Sequence, residues 1–334
     1  MSRPRIVVTQ RIHSSVAELL AAHAELIWND SLEVWPRDLF LDFARDADAL
    51  MVFMPDSLDE EFIAACPRLK IVAAALKGYD NFDVAACNRR GIWFTIVPGL
   101  LSEPTAELAV ALMLGLARNV RAGDGHVRSG GFGGWRPILY GRTLRRATVG
   151  VVGFGEVGRA LARMLAGFEC RVLYCDCQRA DQTLEQEFHV SWTEFDDLLA
   201  TSDFVVPLLP LTPDTLHLFN HRTIAKMKRA AFLINVARGS IVDEEAAADA
   251  LETGRLGGYA ADTFEMEDWA RVDRPAAIPE RLREDPQTLF TPHLGSAVAP
   301  VRLAIERAAA HSILQALRGE RPTGAIEAAV PEKC

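Results

Sequence analysis

The chain has 334 residues, 49% of them hydrophobic and 24% charged, which is too long for one hydrophobic core, so two domains are expected, and too apolar for a disordered segment. With 36 Lys and Arg against 45 Asp and Glu the formal net charge is -9, and no basic block interrupts that balance, which argues against a nucleic-acid partner. The most apolar stretch, Leu100 to Ala117, is broken by Ser102, Glu103, Pro104 and Glu107, and the N-terminus has no long apolar run, so neither a membrane span nor an export signal is expected.

Arg5 to Thr9 reads as a short buried strand, followed by a helical pattern through Val16, Leu19 and Leu20 and an apolar run from Ala47 to Met54. Strand and helix continue to alternate through Lys70 to Leu76 and Gly91 to Val97. Pro98-Gly99 then punctuates the chain, and a first domain crossing is expected there. Ser102 is placed as an N-cap with early acids behind it, opening a long helix over the apolar run from Leu108. Gly123 to Arg146 is rich in Gly and Arg, with Trp135, Pro137 and Tyr140 interspersed, and reads as an extended arm whose aromatics need a partner surface. Beyond it, apolar runs at Thr148 to Val152, Arg171 to Tyr174, Phe204 to Leu208, Ala231 to Asn235 and Gly257 to Ala261 alternate with helical patterns. A last helix is expected over Val301 to Leu317. That alternation predicts an α/β fold with parallel sheets wrapped by helices on both faces. The six cysteines (Cys66, Cys87, Cys170, Cys175, Cys177, Cys334) show no paired C-x-x-C spacing, so no metal site and no disulfide framework is expected and reduced thiols in the cytoplasm fit best.

Gly153-Phe154-Gly155-Glu156-Val157-Gly158 follows an apolar strand and opens an amphipathic helix, the order needed to cradle a pyrophosphate. The first glycine makes the turn, the second lets the phosphates approach, the third lets helix and strand pack, and the helix N-terminus attracts the anion. The next strand ends in Asp176, about twenty residues after the fingerprint, where a carboxylate accepts the ribose hydroxyls and repels a 2'-phosphate. NAD is therefore the expected cofactor, with Arg179 close enough to leave NADP use open.

The segments after the fingerprint resemble the D-2-hydroxyacid dehydrogenase family in order and spacing. Leu208 to His217 resembles its loop beside the cofactor, Asn235-Val-Ala-Arg-Gly-Ser240 the segment of its substrate-binding arginine, Ala261-Asp-Thr-Phe-Glu-Met-Glu267 that of its acidic residue, and Thr291-Pro-His-Leu-Gly-Ser296 that of its histidine. The resemblance implies Arg238, Glu267 and His293 as catalytic residues. It implies cofactor contacts from the fingerprint residues Gly153, Phe154, Gly155, Glu156, Val157 and Gly158, from Lys77, Thr105, Asp176, Pro210 and Thr215, and from Val236, Ala237, Arg238, Asp262, His293 and Gly295. The chemistry supplies independent reasons: a forked guanidinium suits an oxyanion, and an imidazole oriented by a carboxylate suits proton transfer near neutral pH.

Along almost its full length the chain is similar to the phosphite-oxidising members of that family, at Met54, Lys77, Asp80, Trp135, Tyr140, Arg238, Glu267, His293 and Ser296. That similarity implies oxidation of phosphite to phosphate with reduction of NAD. Leu76-Lys-Gly-Tyr-Asp-Asn-Phe-Asp83 places a lysine where ordinary members more often carry a short uncharged residue, so Lys77 and Arg238 supply two cations for a dianion. Met54, Lys77, Gly78, Trp135, Tyr140, Arg238 and Ser296 are the implied substrate-binding residues. Met54 is also readable as a core residue, Trp135 and Tyr140 as interface aromatics, and the general base is left open between His293, Arg238 and a water relay. The alternative on the same fold is a glyoxylate or hydroxypyruvate reductase, and a rival of another class is a catalytically idle dinucleotide sensor. The implied organisation is a doubly wound cofactor domain, residues 100–292, inserted into a substrate-binding domain made of residues 1–99 and 293–334, with the active site in the cleft between them. The segment near 101–146 is the expected dimerisation arm of a homodimer.

Overall fold

A computed structural model describes residues 3–327, and these build two α/β units around separate parallel sheets. The first sheet is formed by β1 (Arg5–Val8), β2 (Glu25–Trp28), β3 (Ala49–Val52), β4 (Ile71–Ala74), β5 (Trp93–Thr95) and β13 (Ala325–Ile326), six strands in the order β13-β5-β4-β3-β1-β2. Only β13 runs antiparallel, against β5. The second sheet is formed by β6 (Thr148–Val152), β7 (Arg171–Cys175), β8 (Val190–Trp192), β9 (Phe204–Pro207), β10 (Ala231–Asn235), β11 (Leu256–Ala261) and β12 (Thr288–Phe290), seven strands in the order β12-β11-β10-β9-β6-β7-β8.

Central strands with helices on both faces have no solvent side, which is why β3, β4, β9 and β10 are buried at every residue and read as unbroken apolar runs. Each sheet accordingly has one apolar core on either face. In the first unit the helices Ser14–His23 and Ala299–Leu317 cover one face, burying Val16, Leu20, Ile305, Ala309 and Ile313. In the second, the helix Ser102–Ala117 packs on Glu156–Leu165, burying Ala109, Leu112 and Met113 against Leu161 and Leu165.

The division into units departs from the sequence expectation. One unit comprises residues up to Leu101, Trp269–Val272 and the chain from Ala297. The other comprises Ser102–Asp268 and Asp273–Ser296. The first crossing thus falls at Leu101, not at Pro98-Gly99, and the last falls after Ser296, not before His293. His293 and Ser296 therefore belong with the nucleotide-binding sheet, because hydrogen bonds to Asp262 staple the loop carrying them to the end of β11.

Two local expectations are also corrected. Ser102 is not an N-cap: it lies within the helix, and its hydroxyl donates to Glu156 Oε2 at 3.0 Å on the neighbouring helix. The arm is not irregular throughout, since Val120–Arg128 is helical before a loop leads to β6. The strands β2, β8, β12 and β13 were not expected; each has two to four residues, too short for a periodicity signal.

Candidate active site

In open α/β sheets, ligands bind beyond the carboxyl ends of the strands, near the point where strand order reverses. The second sheet reverses between β6 and β9, and the polar loops that leave β6, β7, β9, β10, β11 and β12 carry, in turn, Gly153, Asp176, Pro210, Arg238, Asp262 and His293.

Gly153 has φ +100°, and a Cβ there would meet Leu208 O at 2.7 Å, so the first glycine is required by both backbone and space. Gly158 packs against Gly153 O, which a Cβ would approach to 2.5 Å. Gly155 is different. It caps the helix Glu156–Leu165, and a Cβ on it would meet nothing within 4 Å. Open space over a helix N-terminus, beside two glycines that the fold itself demands, is the form of a pyrophosphate cradle. These residues fit NAD.

Asp176 accepts the Phe154 backbone N–H at 2.6 Å through Oδ2, joining the carboxylate at the end of β7 to the glycine turn. The Phe154 ring stacks on Tyr174 with centroids 4.4 Å apart and is buried. Phe154 is thus a core residue by its side chain, while its backbone forms part of the glycine turn. Glu156 likewise turns toward Ser102, and Val157 packs on the apolar core. Thr215 closes its own loop, donating to Pro210 O at 2.7 Å and accepting the Thr212 N–H at 2.8 Å.

Beyond β10, Asn235 shapes the turn that presents Arg238: its side-chain amide donates to Arg238 O at 2.8 Å and its Oδ1 accepts the Ala237 N–H at 3.1 Å. Val236 is buried beside them. Gly239 packs so tightly on Phe264 that a Cβ would lie 1.8 Å from its carbonyl carbon. The next residue, Ser240, donates its N–H to Asp268 Oδ2 at 2.7 Å. The Arg238 loop is therefore clamped onto the segment that carries Glu267.

Asp262, at the end of β11, is 1% exposed and receives the Thr291 hydroxyl at 2.5 Å, the Leu294 N–H at 2.7 Å and the Gly295 N–H at 2.9 Å. Burial pushes its carboxyl above the ordinary value against the pull of these donors. With both oxygens engaged in this way, Asp262 acts as the staple of the 291–295 loop, a structural duty that its placement as a cofactor contact did not include. Thr105, on the helix Ser102–Ala117, closes the same corner, its hydroxyl 3.2 Å from where a Cβ of Gly295 would lie. Held there, His293 adopts φ +55°, a left-handed conformation uncommon outside glycine, and its Nδ1 meets Glu267 Oε2 at 2.7 Å. Glu267 is fixed in turn by the Phe264 N–H, which donates to its Oε1 at 2.9 Å. A carboxylate at Nδ1 sets that nitrogen as the donor and leaves Nε2 to take or give a proton.

Three buried acids beside Glu267 and His293 had no role in the sequence reading: Asp268, Glu265 and Glu244 are 3%, 7% and 1% exposed. Glu265 and Glu244 exchange reciprocal bonds, Glu265 N–H to Glu244 Oε1 at 2.9 Å and Glu244 N–H to Glu265 Oε1 at 3.0 Å, and His217 Nε2 lies 2.7 Å from Glu265 Oε2. The only available signal was the run Glu265-Met-Glu-Asp268, in which acids too dense for a plain surface turn are spent on backbone donors.

In the first unit, Lys77 and Gly78 follow β4 and Met54 follows β3, each half-buried at the carboxyl edge of the sheet. Asn81 joins them, donating to Met54 O at 3.1 Å and accepting the Ala270 N–H at 3.3 Å, which anchors Trp269–Val272 to this unit. Trp135 and Tyr140 lie on the loop before β6, each 79% exposed. Ser296 is half-buried after the histidine loop. Among the described residues no group of three His, Cys, Asp or Glu is placed to hold a metal ion, the cysteines are unbridged, and no helix is long and apolar enough to cross a membrane; Cys334 lies outside the described residues.

Residues 110–295 match the family profile described as D-isomer specific 2-hydroxyacid dehydrogenase, NAD binding domain. The chain is 36% identical over 326 residues to a glyoxylate reductase of Pyrococcus furiosus, covering 96% of this chain and 94% of that one. Its fold matches the crystal structure of the TT0316 protein of Thermus thermophilus with a TM-score of 0.87 at 31% identity, over 96% of this chain and 99% of that one. An NADPH-dependent glyoxylate/hydroxypyruvate reductase of Sinorhizobium meliloti matches with a TM-score of 0.82 at 27% identity, over 97% of each chain. The chain belongs to the D-isomer specific 2-hydroxyacid dehydrogenase family. It is an oxidoreductase that binds NAD.

Proposed function

We propose that this enzyme oxidises phosphite to phosphate with reduction of NAD. The observation that carries the reading is the pair of cations Lys77 and Arg238, each at the carboxyl edge of its own sheet. Phosphite is largely a dianion near neutral pH, whereas a monocarboxylate needs one cation. The similarity to phosphite-oxidising members at Met54, Lys77, Asp80, Trp135 and Tyr140 supports the same substrate.

Arg238 holds substrate oxygens through its guanidinium fork, with Lys77 as a second point charge, and Met54, Gly78 and Ser296 bound the substrate. NAD, when bound, accepts the hydride. His293 Nε2 takes the proton of the water whose oxygen becomes bonded to phosphorus, while Glu267 holds Nδ1 and balances the resulting imidazolium. A hydrogen on phosphorus is thereby replaced by oxygen, the hydride goes to the cofactor and the proton to His293. Asp176 gives NAD the advantage over NADP. The arm completes a homodimer: Val120, Val127, Phe132, Trp135 and Tyr140 are all more than half exposed in the single chain, as interface residues are before assembly.

A second reading is favoured by the relatives, which are named for glyoxylate or hydroxypyruvate reduction, and of the two it is the one the comparisons support. In that direction His293 Nε2 gives its proton to the carbonyl oxygen, and Arg238 alone holds the carboxylate. One pair of assays separates the readings: NAD reduction with phosphite against NADH oxidation with glyoxylate or hydroxypyruvate. A kcat/KM for phosphite well above those for the oxoacids is expected, together with a steep rise of phosphite KM in Lys77→Ala at unchanged NAD affinity. Dominant oxoacid reduction, or an unmoved KM, assigns the enzyme to the second reading.

A further inference from the structure

Arg179 stands three residues beyond the ribose carboxylate Asp176, where a guanidinium would serve the 2'-phosphate of NADP. It is held in another place. Its Nε and Nη2 donate to Glu185 Oε1 and Oε2 at 2.8 and 2.9 Å, a two-point fork on one carboxylate. The guanidinium also lies over the Trp192 ring, 5.7 Å from its centroid.

Glu185 does not move freely to follow Arg179. Its side chain is 11% exposed, and its Oε1 also accepts the Tyr174 hydroxyl at 2.9 Å, while that hydroxyl accepts the Ala180 N–H at 2.9 Å. Tyr174 is fully buried on β7, with its ring stacked on Phe154 of the glycine turn. The carboxylate is thus fastened to the core of the nucleotide site, and the donors of Arg179 and Tyr174 hold it ionised.

We infer that Glu185 is a cofactor-specificity residue: by holding Arg179 against Tyr174 and Trp192 it denies NADP the guanidinium that its 2'-phosphate would recruit, and discrimination rests on this lock as well as on Asp176. Binding NADP through Arg179 requires the fork to open first, and affinity falls by the fraction of time it is open. Removing the lock returns that factor. The inference rests on the nucleotide site alone and is the same for either substrate.

The test is binding without substrate, titrating NADPH and NADH separately into the full chain by nicotinamide fluorescence, for wild type, Glu185→Gln, Arg179→Ala and the double variant. Glu185→Gln, which keeps an acceptor for Tyr174, is expected to tighten NADPH binding about tenfold and to move NADH by less than about twofold. Adding Arg179→Ala is expected to abolish the gain, which separates release of Arg179 from simple loss of a negative charge. Glu185→Asp keeps the charge but draws the carboxylate back by one methylene, and the same direction is expected if the glutamine variant fails to fold. Unchanged NADPH affinity in a folded Glu185 variant, a gain that survives Arg179→Ala, or a large loss of NADPH affinity from Arg179→Ala alone would each overturn the inference.

Discussion

Ser240 donates its backbone N–H to the buried carboxylate of Asp268 at 2.7 Å, and through this one bond the loop bearing Arg238 is fastened to the segment bearing Glu267. Arg238 and Glu267 therefore keep a fixed relation within one unit. Asp268→Ala leaves a buried N–H unsatisfied, at a cost of about 1–3 kcal/mol. The expected outcome is a substrate KM raised about tenfold or more, since misplaced binding groups lose positional catalysis. NAD affinity, measured by titration, should hold. Asp268→Asn keeps an acceptor and should recover part of the loss.

The glycines of the nucleotide turn separate into two kinds. A Cβ at Gly158 would press on Gly153 O at 2.5 Å, whereas one at Gly155 would meet nothing within 4 Å. Gly158→Ala should therefore lower the unfolding free energy, measured by denaturant titration, by about 1–3 kcal/mol for an overpacked contact. Gly155→Ala should fold with near wild-type stability and lose NAD affinity by tenfold or more, because its methyl fills the space the pyrophosphate approaches. Equal stability losses in the two variants would contradict that division.

The sequence exposed those parts of the molecule in which one residue has one reason. Buried parallel strands such as β6 and β10 are nearly unbroken apolar runs, and the glycine turn, Asp176, Arg238 and His293 follow such runs, so the fold class was legible and these residues stood out as candidates. What was hidden depends on which backbone donor a side chain meets. Asp262 and Asp268 are acids in loops by sequence and loop staples by structure. Ser102 resembled a cap because a hydroxyl before a helix is ordinarily one, but Glu156 competes for it. The crossing after Ser296 was misplaced for the same reason: the bonds from Asp262 that retain the histidine loop span more than thirty residues.

Glu267 lies against His293 Nδ1, 2.7 Å away, and has its second oxygen tied to the Phe264 N–H. Glu267→Gln preserves that shape but replaces an acceptor that fixes the tautomer by a group able to donate. The kcat is expected to fall about 10²–10⁴-fold with KM changed far less, the range associated with general acid–base catalysis. His293→Asn should abolish turnover without unfolding the protein, as judged by circular dichroism and NAD titration. Substantial turnover in that variant would move the proton transfer to Arg238 or water.

Glu244 is 1% exposed, its Oε2 has no hydrogen-bond partner among the described residues, and the carboxylates of Glu265, Asp268 and Glu267 stand near it. Burial first, then these like charges, push its carboxyl from the ordinary 4.5 up to about 8. Between those values the folded protein keeps a proton that the unfolded chain has lost. Stability must then fall as pH rises through this window, by about 1.4 kcal/mol per pH unit for one full proton of difference. The loss is complete only above the folded value. Glu244→Gln keeps an oxygen for the Glu265 N–H and carries no ionisable proton, so it lacks this slope. Denaturant unfolding at pH 5 and pH 8 is expected to show the variant gaining on wild type at the higher pH, by an amount on the order of a few kcal/mol. Parallel pH profiles for the two proteins would show that Glu244 loses its proton no later in the fold than outside it.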